Sequence, residues 1–231
     1  MEASMKRFDY LRPQTLEEAL SLLDQHGKKA KLIAGGTDVI VMIKQKAIMP
    51  EVLISLRGIP GLDQIQYDAT LRIGALVPHR AIEKAEVIRK EFSALADAAD
   101  VLGSIQIRNV ATIGGNICTA APSADTATPL LVLGAQVKIK SLREERTVPI
   151  EEFFTGPGET MLKKGEIVTE LIIPKPLPHT GSAYWKLQRR LALDLPILGV
   201  SVLLSLDKAT ISCSDMLCTT SPISSILHTM E

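Results

Sequence analysis

At 231 residues, 46% of them hydrophobic, the chain is long enough to bury a substantial core as one large domain or two modest ones, which excludes a disordered tail. Its 26 basic residues balance 26 acidic ones, so there is no chain-wide basic field for nucleic acid, and an aromatic content of 3% argues against a base-stacking surface. The longest apolar stretches, residues 129–137 and 195–206, fall far short of a bilayer span, and a small ligand or a protein partner is the expected counterpart.

Residues 1–10 carry charges but no apolar run or small-residue cleavage site, so no signal peptide is read there and a cytoplasmic protein is expected. A helix is expected over residues 15–25: Thr15 and Glu18 form a T-x-x-E capping box, Leu16, Ala19, Leu20 and Leu23 recur at helical spacing, and His26-Gly27 closes it. Residues 31–34 form a strand candidate entering Ala34-Gly35-Gly36-Thr37-Asp38. Residues 39–45 form the helix that follows, capped by Thr37 or Asp38. Residues 52–56 read as a strand and residues 65–74 as a hairpin turning at Asp68-Ala69-Thr70. Two helical stretches, 81–90 and 93–102, give way to strand and loop: a half-buried strand at 136–140, a loop over 151–159, and a strand at 166–173 stopped by Pro174. A proline-bearing linker at 175–181 precedes strands at 183–188 and 197–206. From residue 208 onward Ser, Thr and Cys crowd the chain with no lasting period, and no ordered element is expected.

Two glycine pairs carry most of the chemistry: Ala34-Gly35-Gly36-Thr37-Asp38 and Thr112-Ile113-Gly114-Gly115-Asn116. Each stands where an apolar run stops, and a glycine pair there lets backbone N–H groups approach an anion with no side chain in the way. Two such loops would hold the two phosphates of one dinucleotide; for either pair alone the bland alternative is a plain turn. The G-x-G-x-x-G and P-loop patterns are absent, which disfavours those two classes. Thr37 and Asn116 have groups to donate to a phosphate, whereas Asp38 would be repelled and suits a helix cap. Asp125 is a ribose acceptor or a loop cap. Lys186, grouped with Arg189, Arg190 and Asp194, belongs to a solvated ion-pair face or brings positive charge to an electron-rich ring. His26, His79, His179 and His228 lack metal-ligand spacing, and Cys118, Cys213 and Cys218 make neither a disulfide framework, a zinc ribbon nor a complete iron–sulfur ligand set. No metal site and no catalytic residue is assigned.

The AGGTD loop, the segment Ile107-Arg108-Asn109-Val110-Ala111-Thr112-Ile113-Gly114-Gly115-Asn116, the Ser123-Ala124-Asp125 stretch and the Thr155-Gly156-Pro157-Gly158 loop together resemble the FAD-binding subunit of molybdenum hydroxylases. The likeness is to the xanthine dehydrogenase type and covers residues 5–206. It implies an α+β, two-subdomain FAD-binding fold of the PCMH type, as in molybdopterin dehydrogenase flavin subunits, with an incomplete C-terminal domain. The implied FAD-binding domain runs over residues 1–177, with subdomains at about 1–57 and 58–177, followed by a truncated domain at 178–231. By the same likeness Lys31, Leu32, Ile33, Ala34, Gly35, Gly36, Thr37 and Asp38 wrap the FAD pyrophosphate and its neighbouring groups together with Thr112, Ile113, Gly114, Gly115 and Asn116. Asp125 resembles the family's acidic residue near FAD, and Leu102, Val168 and Lys186 fall where similar proteins approach the flavin or adenine.

The implied activity is that of an FAD-dependent oxidoreductase subunit, which needs no acid or base of its own for the relay. A molybdopterin-binding partner hydroxylates the substrate, a [2Fe-2S] partner carries the electrons, and FAD passes them to NAD or another acceptor. The segment after residue 206 is shorter than the family's C-terminal domain and unlike it in composition, so a truncated chain is expected. An inactive remnant or interaction module, and a stand-alone flavin reductase, are the alternative readings; the second wants a local acid or base that the sequence does not offer.

Overall fold

The computed structural model describes residues 7–190, 194–207, 210–220 and 226–229. The chain begins with β1 (Asp9–Leu11), α1 (Leu16–His26), β2 (Ala30–Ile33), α2 (Val39–Lys44) and β3 (Val52–Ser55). The three strands form a parallel sheet with β3 in the middle. All four residues of β3 are buried, as a central strand covered on both faces requires. Ala19 and Leu20 of α1 pack against Val52 and Ile54, so the apolar stripe seen in the sequence is the stripe that faces the sheet. The capping box forms in altered register: Thr15 Oγ1 accepts from Glu18 N at 3.1 Å, but the Glu18 carboxylate accepts from Gln14 N at 2.7 Å, one residue before the cap.

A second sheet follows. Its hairpin, β4 (Ile65–Tyr67) and β5 (Thr70–Gly74), turns at Asp68, whose carboxylate accepts from Thr70 N at 3.2 Å. Six helices then follow: α3 (His79–Lys84), α4 (Glu86–Glu91), α5 (Ser93–Asp100), α6 (Ile105–Arg108), α7 (Ile113–Thr119) and α8 (Ala127–Val132). The single helix expected over 81–90 is two, because Ala85 takes an extended conformation with ψ 117 between them. α6, α7 and α8 were not expected; at four to seven residues each they are too short to display a period. The chain returns through β6 (Gln136–Lys140), β7 (Glu145–Pro149), α9 (Ile150–Phe153), the small pair β8 (Phe154–Gly156) and β9 (Glu159–Thr160), and β10 (Ile167–Pro174). Short elements therefore occupy much of the loop expected over 151–159. The five-stranded sheet is antiparallel throughout, in the order β4-β5-β10-β6-β7. Its core joins Leu71, Ile73, Val137, Ile139 and Leu171 to Phe92, Leu95, Ile113 and Ile117 of the helices.

A third, antiparallel sheet runs β11 (Thr180–Leu187), β12 (Leu198–Asp207), β13 (Thr210–Thr220) and β14 (Ile226–Thr229). The last two strands correct the expectation of no order after residue 208: backbone pairing to β12 extends over Thr210–Thr220 whatever the side-chain pattern. The rest of that stretch, residues 208, 209, 221–225, 230 and 231, lies outside the described residues, as do residues 1–6 of the N-terminal reading. β11 docks on α5, where Tyr184 packs with Ala94 and Ala98 and Ala94 N donates to Ser182 Oγ at 3.1 Å. No helix among the described residues is long and apolar enough to cross a membrane.

Candidate functional site

A cleft of about 790 Å³ opens where the loop after β2, helix α7, the turn after α5 and the turn before β10 converge. Its size is that of a small-molecule site. Of the residues singled out from the sequence, Lys31, Leu32, Ala34, Gly35, Gly36, Thr37, Asp38, Leu102, Thr112, Gly114, Gly115, Asn116, Asp125 and Val168 line it. Ile33, Ile113 and Lys186 do not. Ile33 packs beside Gly36, Ile113 is fully buried in the core, and Lys186 meets the cleft through Asp125. The Thr155–Gly158 loop reaches the rim at Gly158, whose N–H donates to Ala120 O at 2.9 Å, just past α7.

The two glycine pairs differ in what their amides do. Around the second, each N–H is taken: Ile113 donates to Val77 O at 3.1 Å, Gly114 to Ala75 O at 2.9 Å, Gly115 to Thr112 Oγ1 at 3.1 Å and Asn116 to Thr112 O at 2.9 Å. The expectation that these amides form half of an anion cradle is therefore corrected; Thr112 is a helix N-cap, and α7 is tied to the loop after β5. In the first loop, by contrast, no N–H from Ala34 to Asp38 meets an acceptor among the described residues. Five successive amides without an internal acceptor call for water or a ligand. Arg57, which the sequence did not flag, orients them. Its Nε donates to Ala34 O at 3.1 Å and its guanidinium also to Gly35 O at 3.4 Å. In a trans peptide the C=O and the following N–H point in opposite directions, so holding these carbonyls turns the N–H groups of Gly35 and Gly36 away from Arg57.

The glycines themselves serve loop packing more than ligand approach. A Cβ on Gly35 would stand 2.3 Å from Val110 O, and one on Gly114 would stand 2.6 Å from Ala75, so these two positions let the loops interlock. Gly36, at φ +82, needs glycine for its backbone conformation. Asp38 precedes α2 but makes no side-chain cap, which corrects the capping expectation; its carboxylate lies 3.4 Å from Thr119 Oγ1, whose proton goes first to Gly115 O at 2.9 Å. Asn116 Oδ1 accepts from the buried Thr126 hydroxyl at 2.6 Å, which leaves its amide N–H groups as the donors at the cleft.

Buried charges frame the cleft. Asp125 is 6% exposed; its Oδ1 accepts from Tyr184 Oη at 2.7 Å and its Oδ2 from Lys186 Nζ at 3.2 Å. Burial raises its carboxyl above the usual range, opposed by the Lys186 charge and the Tyr184 hydroxyl. Lys186 is thus no part of a solvated face, whereas Arg190, 79% exposed and 4.0 Å from Asp194, is. Arg108, inside the recognised segment, is buried: Nε donates to Glu83 at 3.0 Å and its guanidinium to Leu102 O at 3.2 Å, fixing the turn that lines the cleft. Neighbouring His79 is wholly buried with no partner for either ring nitrogen among the described residues, and burial, with Arg108 nearby, lowers its pKa to about 4. Glu166 sits before β10. Burial alone would raise its carboxyl, but Arg146 at 3.0 and 3.1 Å and Lys163 N at 2.7 Å hold it below the usual range. No group of three or more potential metal ligands occurs among the described residues.

A cleft of this size, with the amides of Ala34–Asp38 open at its edge, defines a binding protein for a small molecule. The sequence profile described as the FAD binding domain in molybdopterin dehydrogenase matches residues 6–176. The chain is 37% identical over 210 residues to the nicotinate dehydrogenase FAD-subunit of Eubacterium barkeri, covering 89% of this chain and 71% of that one. It is likewise 37% identical over 206 residues to the xanthine dehydrogenase FAD-binding subunit of Escherichia coli O157:H7, covering 88% and 70%. Among solved structures, a carbon monoxide dehydrogenase from Hydrogenophaga pseudoflava superposes with a TM-score of 0.92 at 31% identity, covering 97% of this chain and 78% of that one. The chain belongs to the family of FAD-binding domains of molybdopterin dehydrogenases, and it is an oxidoreductase subunit of the molybdenum hydroxylase type.

Proposed function

We propose that this chain is the FAD-carrying electron-transfer subunit of a molybdenum hydroxylase complex, working in the cytoplasm with a molybdopterin-binding subunit and a [2Fe-2S] subunit, and delivering electrons to NAD. The observation that carries the reading is the row of open amides at Ala34–Asp38 on the edge of the cleft. FAD supplies, when bound, a ring that exchanges electron pairs and single electrons. The residues of the chain fit that group. The first-loop amides and Thr37 suit the pyrophosphate; Asn116 offers an oriented amide donor; Asp125 keeps acceptor capacity for hydroxyls; Leu102 and Val168 offer apolar surface to the rings. Lys31, Leu32 and Ala34 continue the same wall, and Thr112, Gly114 and Gly115 form the opposite one through their surfaces rather than their amides. We assign the cofactor domain to residues 1–177, in units of about 1–57 and 58–177, with residues 178–231 as a further domain.

The reading is tested by adding FAD to purified protein and assaying NADH-dependent dye reduction. One FAD per chain, with flavin absorbance near about 450 nm, and NADH oxidation are expected. Protein that takes up no FAD overturns the reading; FAD uptake without NADH oxidation overturns the assignment of the acceptor.

A further inference from the structure

We infer that the outer face of the third sheet is an interface between two copies of this chain. Alternate residues of a strand point to opposite faces, and helices cover one face here: α5 packs on β11 and α8 on β12. Toward those helices β11 turns Ser182, Tyr184 and Lys186, and β12 turns Ser201, Leu203 and Ser205. On the other face stand Ala183, Trp185 and Leu187 of β11, with Val202, Val200 and Leu198 opposite them on β12. Leu204 and Leu206 continue that row. An antiparallel sheet with one solvated face puts its polar residues outward. These two strands do the reverse: Ser201 and Ser205 are buried at 0% and 3% exposure, while Trp185 is 59%, Leu206 46%, Leu187 41% and Leu204 39% exposed. Single exposed apolar side chains are ordinary, but a contiguous patch on paired strands marks a surface that is covered in use.

Charge, area and symmetry favour a second copy as the occupant. The outward positions of β11 and β12 hold no charged residue, so nothing on them selects a partner of opposite sign. The formal net charge of the chain is zero, so two copies approach without overall repulsion. The four strands, 8, 10, 11 and 4 residues long, span about 500 Å² at ~3.3 Å per residue and ~4.8 Å between strands. Two such faces together remove about 1,000 Å² from water, the lower bound of a specific interface. Aligned apolar sheets pack face to face, and a two-fold axis through the face sets the same patch against itself, a contact that closes at two copies. The cleft lies on the opposite side, where Tyr184 and Lys186 meet Asp125, so association leaves it open.

Light scattering coupled to size-exclusion chromatography of the full chain tests this interface. A mass of twice 25.0 kDa is expected, falling toward 25.0 kDa on dilution. Trp185 is the sole tryptophan, so its fluorescence reports on the face directly: shielded from iodide in the dimer and quenched once the copies part. Trp185→Glu sets like charges against each other in a desolvated patch and is expected to weaken the dimer at least about a hundredfold, leaving a 25.0 kDa species with an unchanged circular dichroism spectrum. If that variant does not fold, Leu204→Lys places charge on the same face and keeps the tryptophan as a probe. A monomer with Trp185 open to iodide overturns the inference. A monomer with Trp185 shielded does so too, because the chain's own residues would then cover the face. Growth past two copies, or a dimer that both substitutions leave intact, also overturns it.

Discussion

Gly35→Ala separates loop interlocking from ligand approach as the reason for the first glycine pair. The new Cβ would stand 2.3 Å from Val110 O and 2.9 Å from Ala111 Cα, against 3.4 Å for ordinary contact, so two backbone segments must part by about 1 Å. Forced overpacking against backbone costs about 1–3 kcal/mol, and the upper end applies because neither atom can rotate away. For a chain of this size that lowers the midpoint of thermal unfolding by about 6–12 °C. Gly115→Ala is the control. Its Cβ meets the rotatable Thr112 Oγ1 at 3.0 Å, and a helical alanine gains about 0.5–1 kcal/mol over glycine, so its stability changes by less than about 1 kcal/mol. Differential scanning calorimetry of both variants, with FAD titration alongside, is the assay. A Gly35→Ala protein that melts with the unsubstituted chain but has lost FAD would refute the packing argument and restore ligand approach as the reason.

Other predictions follow the same geometry. His79, held neutral with a pKa near about 4 instead of 6.5, leaves stability intact above pH 6.5 and removes it as pH falls toward 4, by about 3 kcal/mol at 1.36 per pH unit. His79→Leu should flatten that part of the urea-stability profile, and parallel profiles for the two proteins would contradict it. Arg146→Met leaves the nearly buried Glu166 carboxylate without its bidentate partner and should cost about 1–3 kcal/mol, measured by urea unfolding at neutral pH; a change below about 0.5 kcal/mol would remove the pair from the account. Arg57→Met, at an exposed position, should weaken FAD three- to tenfold, roughly one net hydrogen bond, with little effect on stability. Unchanged affinity would mean the first-loop amides are oriented without it.

What the sequence disclosed depended on how local the cause was. The helix after Thr15 and the turn at Asp68 form from contacts within a few residues, and both were legible as elements. The resemblance brought Gly35, Gly115 and Asp125 to one cleft before any distance was known. It did not disclose that the second pair's amides are spoken for, because the acceptors, Val77 O and Ala75 O, lie on a loop some forty residues earlier. Asp38 looked like a cap because caps are local, yet its recorded partner, Thr119, is 81 residues away. Arg57 carries no motif at all, and Arg108 stands inside one that assigns it no role; an arginine is recognised as a strut only when the carbonyls it holds are seen. Strand β13 was hidden for a related reason, since a Ser- and Thr-rich strand owes its order to the neighbour that pairs with it.

Amide hydrogen exchange with and without FAD tests the central claim most directly. The account predicts that the amides of Ala34–Asp38 exchange rapidly in the free protein and become protected when FAD is added, while those of Ile113–Asn116 are protected in both states. Rapid exchange over residues 34–38 that persists at saturating FAD, or protection gained over residues 113–116 instead, would contradict it.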